Sequence, residues 1–161
     1  MKMFPEISQK PKVAIIYITY NRLYYTKKTL LPLLNSSKNK FKLYIVDNGS
    51  NDGTTKFLNQ LEHPNIEQII YNNKNLGLVK PTKKFWDETD AELVGKIDND
   101  ILVPPNWIEN LVDAHKAIPN LGDNKDTVPS IFKPFTVPRR YIVKEKRDRV
   151  VLQFGYGSED E

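Results

Sequence analysis

The sequence contains no cysteine and only two histidines. The absence of cysteine excludes disulfides, cysteine-ligated zinc and a thiol nucleophile, and it fits a protein of the reducing cytoplasm. The two histidines, His63 and His115, have no partner at metal-ligand spacing, which favours ordinary structural roles for both. A catalytic or metal site in this chain must therefore be built from carboxylates, amides, hydroxyls and basic side chains.

Long apolar runs are also missing. No stretch of about 18 apolar residues occurs, so the sequence encodes no transmembrane helix, and residues 1–11 lack the apolar core of a secretory signal. We therefore expect a cytoplasmic protein, with contact to the inner face of a membrane left open.

Charge of one sign is not strongly in excess either, since 24 Lys and Arg residues face 20 Asp and Glu residues, for a net charge of +4. This mild excess would favour an anionic ligand or an anionic membrane surface, but a solvated basic face is the ordinary explanation. Without clustered aromatic and basic residues on one predicted face, the charge argues against nucleic acid as a partner.

Apolar segments typical of strands alternate with helical segments through most of the chain. This alternation predicts an α/β fold in which helices flank a mainly parallel sheet, with a short antiparallel part near the C-terminus. We expect an N-terminal extension (1–11), a core (12–120) and a C-terminal region (121–161) of short strands ending in an acidic tail. The predicted strands cover residues 13–18, 43–46, 66–71 and 93–97, followed by short pieces at 127–132, 135–143 and 150–154.

Helices are predicted between these strands from the spacing of apolar residues. The first helix should kink or end at Pro32, and the last should present Trp107, Leu111, Ala114 and Ile118 on one face. The predicted helices cover residues 23–31 and 54–61, a segment that starts near Pro81 and includes Phe85, and a segment after Pro105.

Polar clusters follow three of the predicted strands, at residues 19–22, 47–53 and 98–100. In open α/β sheets the ligand binds outside the carboxyl ends of the strands, near the point where the strand order reverses. If the strands are parallel, the three clusters lie along one edge of the sheet. We therefore expect them to meet around a single ligand.

The third cluster places Asp98 and Asp100 on either side of Asn99, directly after a predicted buried strand. Two carboxylates this close repel each other and lose solvation when buried, so a counter-cation is the natural remedy. Oxygen ligands without nearby cysteine or histidine suit Mg²⁺ or Mn²⁺, which keeps open positions for substrate phosphates. A turn or a helix cap is the alternative interpretation of the same triplet.

Four segments, in order, resemble the motifs of family-2 glycosyltransferases: VAIIYITYNR, LYIVDNGSNDGT, NNKNLG, and KIDND followed by PPNWIENL. The resemblance covers residues 12–118 and implies the GT-A fold. It also implies inverting, metal-dependent transfer of a sugar from a nucleotide diphosphate-sugar to a hydroxyl of a glycan or lipid-linked acceptor. Enzymes that build cell-surface polysaccharides act in this way.

The resemblance also assigns donor-binding roles. Thr19, Tyr20 and Asn21 correspond to residues that cradle the nucleotide base, and Asp47 to an acidic residue near the base and ribose. Asn48 stands where many relatives have a second aspartate, which leaves the nucleotide open among UDP, dTDP and GDP.

The same comparison makes Asp98 a contact to ribose and metal, and Asp100 a direct metal ligand. Lys80 and Lys96 are candidate neighbours of the phosphates, although a lysine is more often a solvated surface charge.

The catalytic base of the family lies in a later acidic motif, and this chain has only 61 residues after Asp100. Glu159 and Asp160 are the candidate bases, although an acidic terminal tail is usually solvated. The alternative is a non-catalytic or partner-dependent nucleotide-sugar-binding domain, completed in a homo-oligomer or by a partner chain. A nucleotidyltransferase is less well supported, because residues 19–22 contain no glycine for a phosphate loop.

Overall fold

The structure, a computed structural model, describes residues 12–38, 41–117, 142–146 and 149–153. Strands and helices alternate along the chain up to the fourth helix, as expected for βαβ units. The elements are β1 (Val13–Thr19), α1 (Leu23–Leu34), β2 (Lys42–Asp47), α2 (Thr54–Leu58), β3 (Ile66–Tyr71), α3 (Val79–Glu88), β4 (Leu93–Asp98), α4 (Trp107–Ala117), β5 (Ile142–Lys146) and β6 (Arg149–Gln153).

The six strands form one sheet in the order β3-β2-β1-β4-β6-β5. All pairings are parallel except that of β5 with β6. β1 lies between β2 and β4, and its register places Thr19 opposite Asp47 and Ile18 opposite Asp98. The strand order therefore reverses beside β1, and the three polar strand ends lie level with one another.

Both faces of the sheet are covered, which explains why its central strands are almost continuously apolar. On one face, Tyr17 and Leu43 pack with α1, α2 and α4, where Leu30 and Trp107 are among the largest fully buried side chains. On the other face, Ile16 and its neighbours pack against α3. The three polar clusters lie at the carboxyl tips of these buried strands.

Helix α1 continues through Pro32, where the sequence predicted a kink or an end. The proline lies in the last turn, so the missing N–H removes a single helical hydrogen bond. Leu33 and Leu34 beyond it are both buried in the core, and their burial outweighs that loss. The backbone N–H of Asn35 then closes the helix by donating to the Leu31 carbonyl (3.3 Å).

Smaller differences occur at other boundaries. α2 ends at Leu58 rather than residue 61, and α3 begins at Val79, so that Pro81 lies inside its first turn, where no backbone N–H needs a helical partner. Two short C-terminal strands are present, but β6 adds to the sheet in parallel with β4. The predicted strand at 127–132 and the predicted helical residue Ile118 lie outside the described residues. Within the described residues, no helix has the length and apolarity to cross a bilayer.

The packing of α1 can be tested with two neighbouring leucines. Leu30 is 0% exposed and Leu31 is 45% exposed. Leu30→Ala is expected to lower the free energy of unfolding by about 2–5 kcal/mol, because it leaves a cavity in the core. Leu31→Ala, the matched control, should change it by less than about 0.5 kcal/mol. Urea unfolding followed by circular dichroism measures both, and equal losses would contradict the orientation of α1.

Candidate functional site

A cavity of about 340 Å³ opens at the carboxyl ends of β1, β2 and β4. Five of the residues predicted to form the site line it: Thr19, Tyr20, Asn48, Asp98 and Asp100. A larger, mainly apolar cavity of about 390 Å³ lies against the middle of the sheet, between Tyr44, Ile70 and Phe85. The smaller cavity holds both carboxylates of the acidic triplet, and we take it as the functional site.

The middle residue of the acidic triplet, Asn99, anchors that triplet to the core. Its side-chain Nδ2 donates to the hydroxyl of Thr19 (3.1 Å), and its backbone carbonyl accepts from the hydroxyl of Thr29 on α1 (2.9 Å). The hydroxyl of Tyr17 bonds that of Thr29 (2.9 Å). Burial raises the pKa of the Tyr17 hydroxyl to about 12, so Tyr17 stays neutral. Asn99 therefore points inward and fixes the aspartates on either side of it.

Each aspartate of the triplet is paired with a cation from the chain. Asp98 forms an ion pair with Lys96, two residues earlier on the same face of β4. Asp100 forms one with Arg22, whose Nη1 lies 2.8 Å from its Oδ2. The counter-charge predicted for the two carboxylates is thus already supplied by basic side chains, one of which the sequence analysis did not single out.

A divalent metal fits these residues only in part. Within the described residues, no group of three His, Asp or Glu side chains could hold an ion. Asp98 and Asp100 do line one cavity, and Mg²⁺ in substrate sites is commonly held by one or two carboxylates together with substrate phosphates. The carboxylate pair therefore suits a metal that arrives with, or is completed by, a phosphorylated ligand.

Three hydrogen bonds join the loop after β1 to the loop after β2. The backbone N–H of Asn21 donates to Ser50 (2.9 Å), and the side chain of Asn21 accepts from the N–H of Asn51 (2.7 Å). The third runs from the N–H of Leu23, at the start of α1, to the carboxylate of Asp52 (2.8 Å). Asn21 adopts the left-handed backbone conformation (φ 48°), which asparagine tolerates better than most residues.

Asp47 is buried beneath this joined pair of loops and does not line the cavity. Its carboxylate accepts from the N–H of Ser50 (3.0 Å) and from the hydroxyl of Thr55 (2.5 Å), so it closes the β2–α2 loop on itself. Gly49 in that loop has φ 81°, and a Cβ there would lie 3.0 Å from the carbonyl of Asn72. Only glycine fits the loop at this point.

Asn48 connects the site to a third loop, between β3 and α3. Its Nδ2 donates to the carbonyl of Gly77 (2.9 Å), and its Oδ1 accepts from the side chain of Asn72 (2.9 Å). An aspartate here could accept from Asn72 but could not donate to Gly77. The amide is therefore the group that these two partners require, and Gly77 itself lines the cavity.

Other predicted residues lie elsewhere. Lys80 lines the larger apolar cavity rather than the site, and Lys96 is buried behind Asp98. Glu159 and Asp160, the candidate bases, lie outside the described residues. Asn99 and Arg22, by contrast, line the site without having been singled out. Arg22 follows Asn21 directly in the first polar cluster, which was the available signal for it.

The fold is shared with solved structures that contain a bound nucleotide sugar. The mannosyltransferase PcManGT from Pyrobaculum calidifontis, in complex with GDP-Man and Mn²⁺, matches with a TM-score of 0.57 and 22% identity, covering 68% of this chain and 32% of that one. TarS from S. aureus, in complex with UDP-GlcNAc, matches with a TM-score of 0.56 and 23% identity, covering 63% of this chain and 30% of that one. These likenesses confirm the GT-A fold.

The sequence identifies the family. The profile of Glycosyl transferase family 2 matches residues 14–155, and the chain belongs to that family. Among curated proteins, it is 30% identical over 118 residues to undecaprenyl-phosphate 4-deoxy-4-formamido-L-arabinose transferase from Proteus mirabilis, covering 70% of this chain and 35% of that protein. The chain spans about a third of the length of the curated relatives it matches.

Asp52 offers a test of the joined loops. Burial opposes ionisation, but hydrogen bonds from the hydroxyl of Thr54 and from the N–H groups of Leu23 and Thr54 hold the pKa of Asp52 below its ordinary value. We expect Asp52→Ala to lower the free energy of unfolding at pH 7 by about 1 kcal/mol, because two helix starts lose their acceptor.

The pH dependence follows from the lowered pKa. The contribution of Asp52 is complete above its unfolded-state pKa of about 3.9 and is lost as the pH falls through the lower folded-state pKa. Urea unfolding at pH 7 and at successively lower pH should show the difference between the unaltered chain and Asp52→Ala shrinking below about pH 4. Asp113→Ala, at an exposed position of α4, is the control. A difference that stays constant with pH would contradict this role.

Proposed function

We propose that this chain binds a nucleotide diphosphate-sugar in the cavity at the strand ends and transfers its sugar to a hydroxyl acceptor. The observation that carries the proposal is the meeting of three polar strand ends around one cavity that contains the pair Asp98 and Asp100. Membership of glycosyl transferase family 2 supports the reaction class. GDP-Man and UDP-GlcNAc are bound by the two structural neighbours, which supports this class of donor.

The nucleotide base and ribose would lie against the tips of β1 and β2. Tyr20 is exposed at the cavity and offers an aromatic face to the base, while Thr19 forms the floor. Asn21 and Asp47 support the loops from behind, through the hydrogen bonds already described. Because the amide of Asn48 is engaged with Gly77 and Asn72, we assign it to loop positioning rather than to selection among UDP, dTDP and GDP.

The diphosphate would lie over the acidic triplet, with Mn²⁺ or Mg²⁺ held by Asp98 and Asp100. A cation bound there would offset the charge that develops on the leaving diphosphate. Asn99 keeps the two carboxylates at the cavity through its buried contacts with Thr19 and Thr29. Such fixed positioning lowers the reorganisation needed during the reaction. The Mn²⁺ of the mannosyltransferase PcManGT supports this metal assignment.

Inverting transfer needs a carboxylate base on the acceptor side. The acceptor oxygen forms a bond to the anomeric carbon while the bond to the diphosphate breaks, and the hydroxyl proton passes to the base. Among the residues that the structure describes, the carboxylates lining the cavity are Asp98 and Asp100, which we assign to the metal. Glu159 and Asp160 remain our candidates for the base.

A second function is supported by another feature of the cavity. The part of the chain that the structure describes supplies no third carboxylate to it. A nucleotide-sugar-binding domain that receives its base from a second copy or from a partner chain would have these features. Sugar transfer by the purified chain in its monomeric form would exclude this alternative.

A lipid-linked acceptor and contact with the inner face of a membrane are supported by α1. Its exposed side chains include Tyr24, Tyr25 and Leu31, beside the basic Lys27 and Lys28. Aromatic, aliphatic and basic side chains on one helix are typical of contact with an anionic lipid surface. The relative from Proteus mirabilis is named for undecaprenyl phosphate, which is itself a lipid.

Thermal unfolding with nucleotide sugars tests the proposal. UDP-, GDP- and dTDP-sugars are added with and without Mn²⁺ to the unaltered chain, to Asp100→Asn and to the control Asp113→Asn. At a hundredfold excess over its dissociation constant, a bound donor stabilises the native state by about 2.7 kcal/mol, a rise in Tm of about 5–10 °C. We expect Asp100→Asn to lose the Mn²⁺-dependent part of the rise. If no nucleotide sugar raises the Tm of the unaltered chain, the proposed function is wrong.

A further inference from the structure

We propose that Arg22 is an exchangeable counter-ion. Its guanidinium pairs with Asp100 before the metal binds and then moves to pair with the donor's diphosphate. The inference rests on the proposed function. It gives Arg22 one binding partner before the metal and donor bind, which is Asp100, and another afterwards, which is the diphosphate.

The contacts of Arg22 place its guanidinium within the site itself. Nη1 lies 2.8 Å from Oδ2 of Asp100 and 3.4 Å from Oδ1 of Asn99, and the residue lines the same cavity as both aspartates. The guanidinium carbon also lies 5.1 Å from the centroid of the Tyr25 ring, within cation–π distance. The guanidinium therefore occupies one oxygen of Asp100 inside the cavity in which we place the metal.

The two cations of the triplet differ in their freedom to leave. The side chain of Lys96 is 7% exposed and that of its partner Asp98 is 25% exposed, so separating this pair would strand a charge in the protein interior. The corresponding values for Arg22 and Asp100 are 48% and 39%. An ion pair this exposed contributes little net stability, because water and salt screen it. Arg22 can therefore leave Asp100 at little cost, whereas Lys96 stays with Asp98.

The backbone of Arg22 does not have to move in this exchange. Arg22 is the residue immediately before α1, and its carbonyl accepts from the N–H of Thr26 (2.8 Å), the first hydrogen bond of the helix. The neighbouring residues Asn21 and Leu23 are held by Ser50 and Asp52. Only side-chain torsions separate one position of the guanidinium from another, and these change rapidly at an exposed residue.

Arrival of a divalent cation changes the balance of charge around Asp100. The cation competes for the same carboxylate and repels the guanidinium at close range. The diphosphate that arrives with it is the nearest new anion. A guanidinium matches phosphate oxygens with two parallel hydrogen bonds, and these are stronger than its single bond to Asp100. Arg22 therefore lowers the affinity for metal alone and raises the affinity for the complete donor.

The inference predicts that substitution of Arg22 has opposite effects on the affinities for Mn²⁺ alone and for a nucleoside diphosphate. Both affinities can be measured without following sugar transfer. Binding of Mn²⁺ alone is measured by the loss of its free electron paramagnetic resonance signal. Binding of UDP, GDP and dTDP to the Mn²⁺-loaded protein is measured by titration calorimetry. The variants are Arg22→Gln, Arg22→Lys and the control Lys83→Gln, which also removes one positive charge but from an exposed ion pair on α3 with Asp87.

Arg22→Gln is expected to bind Mn²⁺ alone about two- to fivefold more tightly, the factor that release from an exposed ion pair allows. The same variant should bind the preferred nucleoside diphosphate about tenfold or more weakly, because a charge-assisted contact is lost. Lys83→Gln should change neither affinity. Arg22→Lys, which keeps the charge, should bind Mn²⁺ as the unaltered chain does and recover part of the nucleotide affinity.

The inference is overturned if Arg22→Gln lowers both affinities, or if it changes neither of them relative to Lys83→Gln. It is also overturned if a nucleoside diphosphate binds the unaltered chain equally well with and without Mn²⁺, although nucleotide binding itself, and with it the proposed function, would then stand. Absence of any nucleotide binding to the unaltered chain would instead remove the proposed function, and the inference with it.

Discussion

The site depends on the parallel pairing of β1 with both of its neighbours. This register sets Thr19 level with Asp47 on one side, and Ile18 level with Asp98 on the other. Because β1 and the neighbouring parts of β2 and β4 are buried on both faces, most of their polar residues lie at or near their carboxyl ends. Three strand tips at one height form a single cavity. The sheet determines its geometry, and the strand ends with the loops that follow them supply its polar groups.

The sequence predicted the elements that depend on local pattern. Runs such as residues 13–18 and 93–97 identify buried strands, and the polar residues after them identify the edge where ligands bind. Features that depend on packing were missed. Helix α1 continues through Pro32 because Leu33 and Leu34 are buried in the core. The local preference of proline to end a helix does not include this stabilisation by packing.

Contacts between loops that are distant in the sequence were also not predicted from sequence patterns. Asn99 reads as a spacer between two aspartates, but the hydroxyls of Thr19 and Thr29 make it the anchor of the triplet. Lys96 precedes Asp98 by two residues on the same face of β4, a spacing that could have indicated this pair, whereas the pairing of Arg22 with Asp100 joins segments far apart in the sequence. The acidic triplet was therefore predicted as a cation site, while the basic side chains that balance it were not.

The hydrogen bonds between the first two loops have a consequence for protein engineering. Asn21 and Leu23 contribute one half of each contact, and Ser50, Asn51 and Asp52 contribute the other. Exchange of one loop for that of a relative should break these contacts unless the incoming loop carries the same acceptor side chains, because backbone N–H groups of the retained loop would lose their partners. Chimeras intended to change donor preference should therefore carry both segments together.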